Sequence, residues 1–200
     1  MTATEIFAEK APGVMRRLMA DFDLTDIQAA GILGNLAHES GLRAVQEVHP
    51  IGGGRGGFGW AQWTGPRRVA FEDYCQRTHQ DPKSDTANYA YLWRELSGHQ
   101  EGFDYRKSIT ELKKTTTLSD AVTAFERSFE KANPKYKHYA ERDKWAERAL
   151  VAYRKAIGGK GLSDEVKRIQ EKLTALGHPV VADGIVGKQT LAAIAAALGA

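Results

Sequence analysis

Ile27-Gln28-Ala29-Ala30-Gly31-Ile32-Leu33-Gly34-Asn35-Leu36-Ala37-His38-Glu39-Ser40-Gly41 and, after a glycine-rich spacer, Gly59-Trp60-Ala61-Gln62-Trp63-Thr64 are the two segments whose reading decides the fold. Wound at about 100° per residue, Ala29, Ala30, Ile32, Leu33, Leu36 and Ala37 gather on one broad apolar face, while Gln28, Asn35 and His38 fall on the other side. Asp23 or Thr25 can cap the start with a side-chain oxygen, Asp26 suits the positive end of the dipole, and Gly41 supplies the left-handed stop. Glu39 follows Leu36 by one turn and so projects from the edge of the buried face, at the negative end of the helix. Partial desolvation and the dipole both disfavour its charged form, so the sequence predicts a raised pKa. A group that still holds a proton near neutral pH is what acid catalysis at a glycosidic oxygen requires.

The spacer carries glycines at 52, 53, 54, 56, 57 and 59, interrupted by Arg55 and Phe58, which implies tight turns. No Gly-Lys-Ser or Gly-Lys-Thr follows and no strand-to-helix pattern surrounds it, so it is not a phosphate cradle. If the next segment is extended, Trp60 and Gln62 share one face and Trp63 takes the other. Tryptophan rings fit the apolar faces of sugars and the Gln62 amide matches an acetamido group; the competing role for both rings is core packing.

Ala37-His38-Glu39-Ser40-Gly41, the spacer, Gly59-Trp60-Ala61-Gln62-Trp63-Thr64 and Arg67 resemble the phage tail lysozyme type of cell-wall hydrolase, within the lysozyme-like superfamily. They are also similar to the Glu-Ser-Gly and Gly-hydrophobic-x-Gln pair of soluble lytic transglycosylases and goose-type lysozymes. The resemblance spans about residues 5 to 155, and the Phe-Glu repeats of residues 125 to 130 extend it. It implies that Glu39 is the general acid and that Gln62 lines the cleft.

The rest of the chain reads as helices. An amphipathic helix over 2–20 is started or broken by Pro12, and further helices cover 67–78, 85–96, 103–114, 118–131 and 137–157. Glu126 and Glu130 on the 118–131 helix suit salt bridges better than catalysis. Gly158-Gly159-Lys160-Gly161 reads as a joint between a domain at 1–157 and another at 162–200. Beyond it, Val166, Ile169, Leu173 and Leu176 form an apolar stripe, and an alanine-rich helix runs from Lys188 to Leu198. Ala182-Asp183-Gly184-Ile185-Val186-Gly187-Lys188-Gln189-Thr190-Leu191, with Ile169-Gln170 and Leu173 before it, is similar to the small helical peptidoglycan-binding domain of bacterial wall hydrolases. That resemblance implies wall contact through Asp183 and Thr190; their plain structural alternative is to fix the turn and cap the last helix.

The expected architecture is mainly α: a lysozyme-like catalytic domain with a small β element near residues 55 to 63, then a small helical peptidoglycan-binding domain. A net charge of +3 is mildly basic, which favours approach to an anionic wall and is too weak for nucleic acid. The single cysteine, Cys75, rules out an intramolecular disulfide and reads as a buried apolar residue; a nucleophilic pairing with His79 lacks a third orienting group. The six histidines are scattered without ligand spacing, so no metal or cofactor is expected. No signal peptide or membrane span is visible. The expected partner is bacterial peptidoglycan, the expected state a monomer, and the expected location the host cytoplasm before holin-assisted release to the wall.

The two resemblances together point to a bacteriolytic endolysin that cleaves the β-1,4 bond between N-acetylmuramic acid and N-acetylglucosamine. Hydrolysis needs a second group. Glu47 is the nearest carboxylate, and Thr64 could hold a water with its hydroxyl. If neither is a base, the single-acid route of a lytic transglycosylase remains, giving 1,6-anhydro products. A non-catalytic wall-binding or phage tail structural protein is the alternative of a different class.

Overall fold

The computed structural model describes residues 1–48, 50, 54–130, 137–157, 163–180, 182 and 188–199. The chain divides into two compact units, Met1–Ala152 and Tyr153–Ala200.

The first unit is built around one helix. In order come α1 (Ala3–Phe22), α2 (Asp26–Ser40), α3 (Gly65–Arg77), α4 (Asp85–Ser97), α5 (Arg106–Leu112), α6 (Leu118–Phe125), a π-helical turn (Glu126–Glu130) and α7 (Tyr139–Ile157). Thr25 caps α2 in a capping box with Gln28, and Gly41 closes it at φ 65°. From Gln28 to Ala37 every residue of α2 is buried, so the polar side expected from helical periodicity does not exist. Asn35 is fully enclosed, and its Nδ2 donates to the carbonyls of Gly31 at 2.9 Å and Val122 at 3.0 Å. Gln28 reaches the carbonyls of Lys113 and Thr115. Paired in this way, two amides replace apolar side chains without leaving a buried polar group unsatisfied.

Two glycines set how closely the neighbours approach. A Cβ on Gly31 would stand 2.6 Å from Ala121 Cβ of α6, and one on Gly34 would stand 2.6 Å from the Arg142 carbonyl oxygen of α7. No other residue type fits at either crossing without backbone displacement. α1 also packs on α2, with Phe7 edge-on to Trp145 of α7 at 4.9 Å.

Pro12 lies inside α1, which is one helix across it rather than two pieces. The small β element is reduced to isolated bridges, Gln46 with Phe58 and Phe58 with Trp63. The helix expected over 118–131 changes winding after Phe125, and the segment 103–114 is helical only over Arg106–Leu112.

The second unit contains α8 (Ser163–Ala175) and α9 (Lys188–Ala197). Val166, Leu173 and Ala193 are buried, whereas Ile169 and Leu176 of the expected stripe are exposed. Fully buried Gln170 takes the inward position instead, its Nε2 donating to Thr190 Oγ1 at 2.9 Å.

Candidate active site

Glu39 lies in the last turn of α2, where the helix leaves the core, and about a quarter of its side chain meets solvent. Arg142 Nη2 of α7 donates to Glu39 Oε1 at 2.8 Å. Arg142 is itself 1% exposed, with Nε donating to the Lys137 carbonyl at 2.7 Å and Nη1 to Asn35 Oδ1 at 3.1 Å. Because Asn35 is fixed by α6, the acid is oriented through a web that joins α2, α6 and α7. His38 beside it faces His138, ring centroids 5.5 Å apart, and burial together with the Arg142 charge holds His38 below the ordinary imidazole range.

The loop that follows is tied back to this helix end. Ser40 Oγ donates to the Trp60 carbonyl at 2.7 Å, and the Trp60 N–H donates to Asn88 Oδ1 at 2.9 Å. Residues 59–62 form a turn closed by the Gln62 N–H on the Gly59 carbonyl, so the extended alternation of Trp60, Gln62 and Trp63 is not realised. Gln62 sits at φ 45°, a costly conformation for a residue with a Cβ. Its Nε2 compensates by donating to the carbonyls of Val45 and Gly59 at 3.0 and 3.1 Å, which fixes the amide with both donor hydrogens engaged.

Trp60 and Trp63 are 1% and 0% exposed, so neither offers a ring face to a sugar. Trp63 instead centres an aromatic cluster with Phe71 at 4.5 Å and Tyr91 at 5.1 Å, and its Nε1 donates to Glu95 Oε2 at 2.8 Å. Glu95 is wholly buried and also receives Arg67 Nε and Nη2 at 2.9 and 2.8 Å. Arg67 in turn lies over the rings of Tyr105 and Phe129. The aromatic motif is thus part of the core, and a buried bidentate ion pair holds it.

Glu47 accepts the Gly57 N–H at 2.8 Å through Oε2 and straps the glycine-rich loop across its base. Thr64 is the N-cap residue of α3, exposed, with no side-chain capping bond. Asp183 lies outside the described residues. Thr190 is 2% exposed and holds Gln170, so it pins α8 to α9 rather than lining a surface. Glu126 meets the salt-bridge expectation, fully buried against Lys137 at 3.3 Å and the Tyr139 hydroxyl at 2.7 Å. Glu130 does not: its Oε1 is buried with no hydrogen-bond partner. Cys75 is buried, its thiol pushed up to about 11, and His79 has left the helix at φ 53°, so the pair cannot act as nucleophile and base.

Sequence reasoning missed Arg142 and Asn35. Periodicity places Asn35 on the polar side of α2 and gives no signal of its burial, and Arg142 lies 107 positions beyond Asn35 and carries none.

A recess of about 750 Å³ between α5 and α6, walled by Tyr105, Ser108, Asp120 and Arg127, is lined by neither Glu39 nor Gln62. Two of the charged groups on its wall, Lys114 and Glu111, neutralise each other at 2.9 Å. Among the described residues there is no cluster of three or more metal-ligating side chains and no helix long and apolar enough to cross a membrane.

No curated protein matches the chain. A family model described as phage tail lysozyme matches residues 9–153, which is nearly the whole of the first compact unit and only the first residue of the second. The chain belongs to the phage tail lysozyme family, with the lysozyme-like, peptidoglycan-lytic role which that membership carries.

Proposed function

We propose that this protein is a bacteriolytic muramidase that cleaves the β-1,4 bond between N-acetylmuramic acid and N-acetylglucosamine, with Glu39 as general acid, and that it serves host cell lysis. The observation that carries the reading is the setting of Glu39: one carboxyl at the open end of a buried helix, fixed by the enclosed Arg142 and still reached by solvent. A group oriented by its surroundings delivers a proton without reorganisation at the moment of bond breaking. Gln62, rigidly held, lines the cleft, and exposed Thr64 is available to hold a water.

Residues 162–200 act as a wall-binding module joined by residues 158–161, raising the concentration of the catalytic domain on an insoluble polymer. The protein acts as a monomer and waits in the host cytoplasm for holin-assisted release.

One observation favours a second outcome. Glu47 Oε2 is engaged in tying down the glycine-rich loop through the Gly57 N–H, which favours the lytic transglycosylase route, where no second carboxylate is needed. Mass spectrometry of sugar ends released from purified peptidoglycan, with wild type and Glu39→Gln in parallel, separates these readings. Reducing muramic ends that vanish in the variant support the muramidase. Anhydro ends select the transglycosylase, and no release by wild type sinks the enzymatic reading.

A further inference from the structure

The recess between α5 and α6 is a feature of the first unit that the reaction scheme above leaves unused. Its volume of about 750 Å³ falls within the range of about 300–1,000 Å³ usual for sites that take small organic ligands. Ser108 of α5 lines it while being wholly buried, which places the residue at its base, and the Ser108 Oγ has no hydrogen-bond partner. A serine inside a helix commonly turns its hydroxyl back onto the carbonyl four residues earlier, as Thr110 does to Arg106 and Ser128, on the same wall, does to Ala124. Ser108 forgoes that bond. A buried hydroxyl left unpaired costs stability, and a polar group that enters the recess and bonds it removes that cost.

The charges on the walls define what such a group belongs to. Asp104 is bonded by Arg106 through both of its oxygens, and Glu111 is held by Lys114. Three lining charges remain. Lys107 and Arg127 enter no ion pair among the described residues, and Asp120 accepts the Thr117 hydroxyl through Oδ2 alone. A phosphate or a nucleic-acid strand brings only negative charge and would meet Asp120; a neutral sugar would leave all three charges unanswered. A ligand that carries carboxylates together with an amine answers each of them.

We propose that this recess binds the short peptide stem of peptidoglycan, with Lys107 and Arg127 taking its carboxylates, Asp120 its free amine, and Ser108 Oγ one polar group of its backbone. The inference rests on peptidoglycan as the polymer on which the protein acts. Neither Glu39 nor Gln62 lines the recess, so the contact is separate from the bond that is cleaved. It holds the substrate by its peptide while the chemistry falls on the glycan.

The test is a titration of the full-length ¹⁵N-labelled protein with the synthetic tripeptide L-alanyl-γ-D-glutamyl-diaminopimelate, followed by amide chemical shifts. The peptide has no glycosidic bond, so the result does not depend on whether the protein cleaves glycan. Saturable shifts should appear at the amides of Ser108, Thr123 and Arg127. Arg127→Gln and Lys107→Gln, both at exposed positions, should each weaken binding about fivefold, as expected for the loss of one solvent-accessible charge pair. A tripeptide ending in alanine lacks the amine and should bind wild type more weakly than the diaminopimelate peptide, whereas Asp120→Asn should bind the two alike. Absence of saturable shifts at millimolar peptide, shifts confined to residues 163–199, or affinities unchanged in both the Arg127 and the Lys107 variants would each overturn the proposal. A protein that binds the peptide in the recess yet releases no sugar ends would defeat the muramidase reading and leave this one standing.

Discussion

Replacing Arg142 by leucine is the sharpest test of what holds the site. Four bonds are lost together, to Glu39 Oε1, Asn35 Oδ1, the Lys137 carbonyl and, at 3.5 Å, the Asn35 carbonyl. Removing one partner of a buried ion pair costs about 3–5 kcal/mol because the other charge is stranded. Here Glu39 keeps 24% of its side chain in solvent, so water takes up part of the stranded charge and the share falls to about 2 kcal/mol. The bonds to Asn35 Oδ1 and the Lys137 carbonyl add about 1 kcal/mol each, the long one adds little, and burial of leucine returns about 1–2 kcal/mol. The net loss is about 2–3 kcal/mol, or roughly 4–12 °C in Tm for a domain of this size. All four tryptophans, Trp60, Trp63, Trp93 and Trp145, lie in the first unit, so tryptophan fluorescence during denaturation reports on that unit within the whole chain. In a Glu39→Gln background the loss should shrink by about 1–2 kcal/mol, since no charge is then stranded. A loss below about 1 kcal/mol, or an unchanged loss in that background, would show that the web is not what fixes the end of α2.

Other expectations follow from the same packing. Gly34→Ala should cost about 1–3 kcal/mol by the same fluorescence assay, because its Cβ meets the Arg142 carbonyl and α7 must shift; a neutral result would refute the close crossing. Cys75 should resist a thiol reagent at pH 8 in the folded protein and react at once in denaturant, its thiol being held up by burial. The folded-state pKa of Glu130 is raised, so the native protein binds the extra proton and its stability falls as pH climbs from about 4.5 toward 8. Relative to Glu130→Gln, unfolding free energy should decline across that window with a slope of at most about 1.4 kcal/mol per pH unit. Equal slopes for the two proteins would contradict the buried proton.

The central helix was legible because its signals are local. Thr25, the apolar run and Gly41 lie within one segment, and cap, face and stop each follow from neighbours in sequence. The same locality misassigned its far side. Periodicity marks Gln28 and Asn35 as solvent-facing, and only the distant carbonyls of Lys113, Thr115 and Val122 make their burial tolerable. The tryptophans failed for a related reason. Composition cannot distinguish a ring that faces a sugar from one that faces Phe71 and Tyr91, and what decides it is the turn at Gly59–Gln62. The change of winding after Phe125 has no recognised sequence mark, because Phe125 and Phe129 keep the i, i+4 spacing of an ordinary helix.

Glu39, the proposed acid, lies in a motif of a few residues, but its electrostatic setting comes from elsewhere in the chain. Glu39 is paired 103 positions away with Arg142, and Glu130 comes from a third segment. Substitutions within Ala37–Gly41 should therefore act on the chemistry directly. Those at Asn35 or Arg142 act through orientation, and their signature is a loss of stability that accompanies any loss of rate. Asn35 is the most exacting of these positions, because it donates to α2 and α6 while accepting from Arg142. Aspartate there would keep the acceptor and lose both donors, placing a buried carboxylate against the carbonyls of Gly31 and Val122. The framework tolerates exchange at its apolar positions far better than at this amide, since only an amide both donates and accepts in one plane.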